Sequence, residues 1–176
     1  MKTETLISAN TPEAIESRTQ PSSGLQPHPI RLNEILVPID FSQMSYKALQ
    51  YAVSLAAQYG ARVTLLHVVD PAVVAREFAP ALVLEPRDTR SVERELSEVR
   101  QLQIPESVVT NIATRYDTAA EGILEAIKEF EPDLVVISTH GRSGLKRIVL
   151  GSTAEKVVRG ANCPVLVVRE TERDFV

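Results

Sequence analysis

From residue 35 onward, short apolar runs alternate with amphipathic segments, and this alternation limits the chain to few folds. Five runs are typical of strands: residues 35–39, 63–69, 108–116, 134–137 and 163–168. The runs 35–39, 63–69 and 134–137 are nearly continuous, as in strands buried on both faces of a parallel sheet. Polar and apolar residues alternate more in 108–116, which predicts a strand near a sheet edge.

In the segments between these runs, apolar residues recur at the spacing of an α-helix. The predicted helices cover apolar positions from Ala48 to Tyr59, the charged segment 90–101, a segment from Thr118 to Phe130 and a segment from Gly151 to about residue 159. Asp40 or Ser42 can cap the first helix and Gly60 ends it, while Thr118 and Glu121 have the spacing of a capping box. Strands separated by helices predict an α/β fold: a single-domain, parallel five-stranded sheet with right-handed crossovers.

The first 30 residues differ from the rest, with four of the 11 prolines and no sustained periodicity. We predict a flexible tail over 1–30 and one domain over 31–176. The tail lacks the apolar run of a signal peptide, and no stretch of 18 apolar residues occurs, so we expect a soluble, cytoplasmic protein. One cysteine and a net charge of −4 predict neither a disulfide framework nor a general affinity for nucleic acid or anionic membrane.

A glycine-rich connection follows the fourth strand, over residues 138–153. Three of the seven glycines lie within 11 residues there, and 134–154 contains no acidic residue but carries Arg142, Lys146 and Arg147. One interpretation is a phosphate-binding loop ahead of a helix N-terminus; the other is a solvated turn whose glycines serve tight corners. Ligands of open parallel sheets bind beyond the carboxyl ends of the strands, where Asp40 also lies.

Familiar catalytic signatures do not occur in the sequence. There is no P-loop motif and no Gly-x-Gly-x-x-Gly after the first strand, and neither Ser143 nor Ser152 has a paired His and acid nearby. We therefore predict no catalytic residue.

The chain resembles the universal stress protein A family over about residues 31–169. The matching pieces are the segments 35–42, 63–70, 138–152, 154–158 and 163–168. The resemblance implies an open sheet with helices on both faces, similar to adenine nucleotide alpha hydrolases. Its strand order is 3-2-1-4-5, which makes strands one and four neighbours. It also implies a homodimer through the last strand, from Val165 to Val168. In one branch of the family it further implies ATP held in the crevice, with at most slow ATP hydrolysis. Any Mg²⁺ is expected to arrive with the nucleotide.

The ATP-binding branch carries Gly, two residues, Gly, nine residues, then Gly followed by Ser or Thr. Gly141, Gly151 and Ser152 match this pattern, whereas Ser138 replaces the first glycine. A Cβ at this position obstructs backbone approach to a phosphate, although the small hydroxyl can also donate to one. The family match implies that Asp40 contacts the ribose or adenine side and that the main chain of Val68 recognises the adenine edge. The phosphates would be surrounded by Gly141, Arg142, Gly151, Ser152 and Thr153.

Several residues have a second interpretation. Asp40 can be a helix cap instead of a ligand contact, His67 can be satisfied locally instead of binding a metal, and Cys163 can be a packed thiol. We expect no metal site within the protein. The main functional hypothesis is a stress-response regulator that responds to bound ATP. The alternatives are a dimeric interaction scaffold that binds no nucleotide, which Ser138 favours, and an enzyme acting on a phosphorylated metabolite.

Overall fold

A five-stranded parallel sheet forms the centre of the domain in the computed structural model, which describes residues 28–71, 89–139 and 150–170. The strands are β1 Glu34–Pro38, β2 Arg62–Val69, β3 Thr110–Tyr116, β4 Leu134–Ser138 and β5 Val165–Val168. Their order is β3-β2-β1-β4-β5, so the predicted topology is confirmed. β3 lies at one edge, as its alternating sequence predicts, and β5 lies at the other.

Four helices among the described residues cover the two faces of the sheet. They are α1 Gln43–Tyr59, α2 Thr89–Gln103, α3 Ala119–Phe130 and α4 Ser152–Gly160. α1 and α2 pack on one face, and α3 and α4 pack on the other. Successive side chains of a strand point to opposite faces, so Val63 and Leu65 of β2 join the first core while Leu66 joins the second. Burial on both faces explains why the central strands are continuous apolar runs.

The ends of the first helix follow the sequence signals. Ser42 is the N-cap of α1, and its hydroxyl accepts a hydrogen bond from the Ser45 N–H at 3.2 Å. Gly60 ends the helix with a φ of 70°, a left-handed conformation that glycine adopts without steric cost.

The capping-box prediction for α3 is wrong. Thr118 is the N-cap, but its side chain makes no capping hydrogen bond. The carboxylate of Asp117 instead accepts the Thr118 N–H at 2.6 Å. The adjacent carboxylate is thus the acceptor that organises the start of this helix, which the Thr-x-x-Glu spacing did not indicate.

Several sequence predictions concern residues outside the described ranges. These are the tail up to residue 27, the connection 72–88 and most of the glycine-rich loop, with His140, Gly141, Arg142, Ser143, Lys146 and Arg147. In the part of the chain that the structure describes, no helix is both long and apolar enough to cross a membrane.

Candidate functional site

β1, the central strand, and its neighbour β4 pair only near their amino ends. β1 pairs with β2 from Glu34 to Pro38, but its paired register with β4 covers only Ile35 with Leu134 and Leu36 with Val135. The chain leaves β1 towards one face of the sheet through α1 and reaches β4 from the other face through α3. This is the switch point of an open α/β sheet, where a crevice forms outside the strand ends.

Asp40 lies half-buried at the end of β1, beside this crevice. One carboxylate oxygen, Oδ1, accepts the Ser42 N–H at 3.1 Å and the Ser42 hydroxyl at 2.6 Å. The two capping alternatives are thereby resolved: Ser42 caps α1, and Asp40 holds Ser42 in place. Asp40 therefore has a structural role at the turn, and a ligand role for Asp40 is an additional proposal.

His67 and Phe41 form an aromatic contact next to Asp40. Their ring centroids are 4.8 Å apart with an interplanar angle of 38°. His67 is 6% exposed, and its Nδ1 lies 2.7 Å from the carbonyl oxygen of Ile39. A carbonyl oxygen only accepts, so Nδ1 carries the hydrogen. This geometry shows a locally satisfied strand histidine, the first of the two interpretations that the sequence allows.

The main chain of Val68 faces the crevice side of β2. Beyond the β1–β2 ladder, the Ile39 N–H donates to the Leu66 carbonyl at 2.8 Å, so the backbone groups of Leu66 point towards β1. Backbone direction alternates along a strand, and Val68, two residues further, therefore points its N–H and C=O to the same side. The Val68 side chain packs towards α3, where a Cβ on Gly122 would lie 2.7 Å from Val68 Cγ1.

Gly151 brings the N-terminus of α4 back to the end of β4. Its N–H donates to the Thr139 carbonyl at 2.9 Å, and the Thr139 N–H donates to the Val168 carbonyl at 2.9 Å. A Cβ on Gly151 would lie 2.5 Å from the Thr139 oxygen, while its φ of −59° is open to any residue. At Gly151, the tight-corner interpretation of the loop glycines therefore has direct structural support.

Ser138, Ser152 and Thr153 lie around this junction. Ser138 ends β4 half-buried, on the strand face that also carries Leu134 and Val136. Ser152 is exposed and Thr153 is half-buried, both in the first turn of α4, where N–H groups have no intrahelical acceptor. The helix dipole makes this end partially positive, so the turn has the chemistry of an anion site.

Electrostatics around Asp40 affect Tyr46 of α1. Burial raises the pKa of the Tyr46 phenol above its usual value, and the carboxylates of Glu95 and Asp40 raise it further. The phenol therefore stays protonated and able to donate at neutral pH. Within the described residues, no three His, Cys, Asp or Glu side chains are grouped so as to hold a metal ion.

Sequence reasoning missed three participants in this arrangement: Phe41, Thr139 and Tyr46. Phe41 has a φ of 63°, a conformation that its residue type does not suggest. Thr139 and Tyr46 enter only through contacts made by the fold. Only Phe41 had a signal in the sequence: it lies between Asp40 and the N-cap Ser42, and an Asp two residues before such a residue commonly forms an Asx turn.

Fold and site together define a doubly wound α/β protein whose strands part at the switch point, with a carboxylate on one side and a helix N-terminus on the other. The chain belongs to the universal stress protein family, whose profile matches residues 32–169. A universal stress protein of Methanocaldococcus jannaschii is 31% identical over 148 residues, covering 80% of this chain and 84% of the relative. A universal stress protein of Bacillus subtilis is 36% identical over 146 residues, covering 78% of this chain and 99% of the relative.

Solved structures show the same fold. Universal stress protein UspA from Lactobacillus plantarum has a TM-score of 0.63 at 28% identity, covering 80% of this chain and all of its own. Two more distant structures contain adenine nucleotides. One is a universal stress protein in complex with cAMP, with a TM-score of 0.57 at 20% identity. The other is the universal stress protein from Archaeoglobus fulgidus in complex with dAMP, with a TM-score of 0.57 at 18% identity. Each match covers 79% of this chain and 98% of the solved chain.

Proposed function

We propose that this universal stress protein is a cytoplasmic regulator that binds an adenine nucleotide, specifically ATP, at the carboxyl ends of β1 and β4. The observation that carries the proposal is the parting of these strands. In the proposal, the main chain of Val68, the carboxylate of Asp40 and the first turn of α4 surround the crevice outside these strand ends. The two complexes with cAMP and dAMP support an adenine nucleotide over other anions as the ligand.

The residues present fit the chemistry of a nucleotide. In the proposal, the N–H and C=O of Val68 bind the adenine edge, because a purine edge presents both donors and acceptors. Asp40 accepts from the ribose hydroxyls. Gly151, Ser152 and Thr153 bind phosphate oxygens through N–H groups and hydroxyls at the positive end of α4. Gly141 and Arg142 would complete the phosphate site from the loop.

Magnesium would be bound mainly through the phosphates. Mg²⁺ commonly binds through one or two carboxylates, substrate phosphates and several waters. Asp40 is the one carboxylate that the proposal places in the crevice. Nucleotide-free protein should therefore show no magnesium-dependent gain in stability, and the gain should appear when ATP is added.

Calorimetric titration of Mg-ATP into the full chain tests the proposal. We expect saturable heat for wild type, and Asp40→Asn should weaken binding about tenfold, which corresponds to ~1.4 kcal/mol. Asparagine keeps an oxygen that can accept from Ser42, so this variant removes the charge while preserving the turn. Asp133→Asn is the matched control: it makes the same chemical change at the amino ends of β1 and β4, costs about 1 kcal/mol of stability and should leave affinity unchanged. No heat at millimolar nucleotide would reject the proposal.

Ser138 favours a second candidate function, a dimeric interaction scaffold that binds no nucleotide. Its Cβ stands at the end of β4, where the ATP-binding pattern has a glycine. The same titration on Ser138→Gly separates the two functions. Binding by wild type supports the nucleotide proposal, binding by Ser138→Gly alone shows that Ser138 closes the site, and the scaffold function then applies to the natural sequence.

We also propose a homodimer through β5. Val165, Leu166 and Val167 are only half-buried in the single chain. Among the described residues, β5 is an edge strand that pairs with β4 alone. An apolar edge strand is prone to pair with another strand, and a second copy of the same edge supplies one.

A further inference from the structure

We infer that His67 is a positioning residue for Asp40. It acts by holding Ile39 and Phe41, the residues before and after Asp40 in the chain. The ligand role of Asp40 comes from the proposed function, and the inference rests on that proposal. The contact between His67 and the neighbours of Asp40 is independent of it and is read directly from the structure.

His67 makes one contact before Asp40 and one after it. Its Nδ1–H donates to the carbonyl of Ile39 at 2.7 Å, and its ring packs against Phe41 with centroids 4.8 Å apart. His67 lies in β2, one of the most buried strands, and is only 6% exposed. A side chain enclosed in this way keeps its orientation, so both neighbours of Asp40 are fixed relative to β2.

Phe41 needs such a restraint because its backbone is strained. Its φ of 63° is in the left-handed region, which costs a residue with a Cβ ~1–2 kcal/mol. Strain of this kind persists only where surrounding contacts impose it. Here the restraints are the ring contact with His67 and the two hydrogen bonds from Ser42 to Asp40 Oδ1.

The strained turn determines where the Asp40 carboxylate lies. With Phe41 left-handed, the Ser42 N–H and hydroxyl reach back to Asp40 Oδ1 at 3.1 and 2.6 Å. If Phe41 relaxed to a negative φ, the chain would turn away and both bonds would break. Loss of His67 should therefore release the turn, and the carboxylate would leave its position beside the crevice.

A double-mutant cycle between His67 and Phe41 tests this inference. His67→Ala removes both contacts and should weaken Mg-ATP binding about tenfold. Glycine adopts a positive φ freely, so Phe41→Gly removes the strain that His67 counteracts. The double variant should then recover at least half of the lost affinity on a logarithmic scale. A merely structural role for His67 predicts additive losses and no recovery.

Two-dimensional ¹H–¹⁵N NMR of the nucleotide-free protein gives a second readout, the amide signal of Ser42. His67→Ala should move this signal upfield as the bond to Asp40 Oδ1 breaks, and Phe41→Gly in that background should return it towards the wild-type position. His67→Asn, which keeps a donor for Ile39 but lacks the ring, should give an intermediate shift and serves if His67→Ala does not fold.

The two readouts separate the possible failures. An unmoved Ser42 signal in folded His67→Ala, or in His67→Asn where the alanine variant does not fold, would overturn the inference, whatever the nucleotide does. Absence of nucleotide binding in wild type would reject the proposed function, while the Ser42 signal would still decide whether His67 positions Asp40. A moved signal that Phe41→Gly does not restore would show that the Phe41 turn is not the element that His67 controls.

Discussion

Asp133 joins the amino ends of β1 and β4 through a single carboxylate oxygen. Its Oδ2 accepts the Asn33 N–H at 2.6 Å, the Asn33 side-chain amide at 3.2 Å and the Glu34 N–H at 3.1 Å. The hydrogen bond from the Asn33 backbone does most to lower the pKa of Asp133 below its usual value. Partial burial opposes this, and the bonds from Glu34 and the Asn33 side chain assist it.

The lowered pKa makes the stability of the domain depend on pH. The carboxylate form is favoured in the folded state, so its contribution is complete above the unfolded pKa of about 3.9 and is lost as pH falls through the folded pKa. Asp133→Asn should cost about 1 kcal/mol at neutral pH and progressively less below pH ~4. Urea unfolding of both proteins at several pH values measures the difference. A difference that is constant with pH would show that the charge of Asp133 has no role.

Single residues were predictable from sequence where local chemistry decides their role. Ser42 as a cap and Gly60 as a stop need only the neighbouring backbone. Cys163 is a packed thiol as expected: burial raises its pKa, and the charge of Asp133 raises it further. The turn around Phe41 has a local signal in Asp40 and Ser42. The ring contact of Phe41 with His67 and the close approach of Gly151 to Thr139 join separate segments of the chain, so local chemistry gives no sign of them.

Helices and strands were predictable in type and less so in their limits. α1 begins at Gln43, five residues before Ala48, the first position of the predicted apolar pattern. β5 begins at Val165 instead of residue 163, and Pro164, which has no N–H, lies just before it. Packing between elements was not predictable, and the contact between α3 and β2 shows this most clearly.

Gly122 allows α3 to approach β2, and we predict that Gly122→Ala destabilises the protein. Alanine favours an isolated helix over glycine by ~1 kcal/mol, but its Cβ here would lie 2.7 Å from Val68 Cγ1 and 3.1 Å from Cγ2. Overpacking costs ~1–3 kcal/mol, so we expect a net loss of about 1 kcal/mol in urea unfolding. Val68→Ala makes room for the new methyl group.

The control for this packing effect is the double variant of Gly122→Ala with Val68→Ala. It should lose less stability than the sum of the single variants, because truncating Val68 removes the atoms that the new methyl group at position 122 would crowd. Strictly additive losses, or a gain in stability for Gly122→Ala alone, would show that α3 shifts to accommodate the methyl group.

The architecture of the whole sheet combines two kinds of inference. The alternation of strands and helices predicts a parallel α/β sheet, because parallel strands require crossover connections. The order β3-β2-β1-β4-β5 came from the family resemblance, since the apolar runs of β1, β2 and β4 do not say which is central. The separation of β1 from β4 depends on that order, so the position of the crevice follows from topology and not from any residue in it.

The side of β5 that faces away from β4 allows a test of the proposed dimer that leaves the fold intact. The Thr139 N–H donates to the Val168 carbonyl, and the Val135 N–H donates to the Pro164 carbonyl, so alternate residues of β5 point towards β4. Val167 lies between two such residues, and its N–H therefore points outwards, to the edge where a second copy would pair. Val167→Pro removes that outward donor and no bond to β4.

We expect wild type to sediment as a dimer and Val167→Pro to sediment as a monomer, or to need at least tenfold higher concentration to associate. Leu166→Pro is the matched control, because the Leu166 N–H points towards β4, and losing that bond should lower the unfolding temperature far more than Val167→Pro does. A folded Val167→Pro that remains fully dimeric would place the interface elsewhere. A monomeric wild type would show that the half-buried side chains of β5 are covered by no second copy, and the nucleotide site would then belong to a single chain.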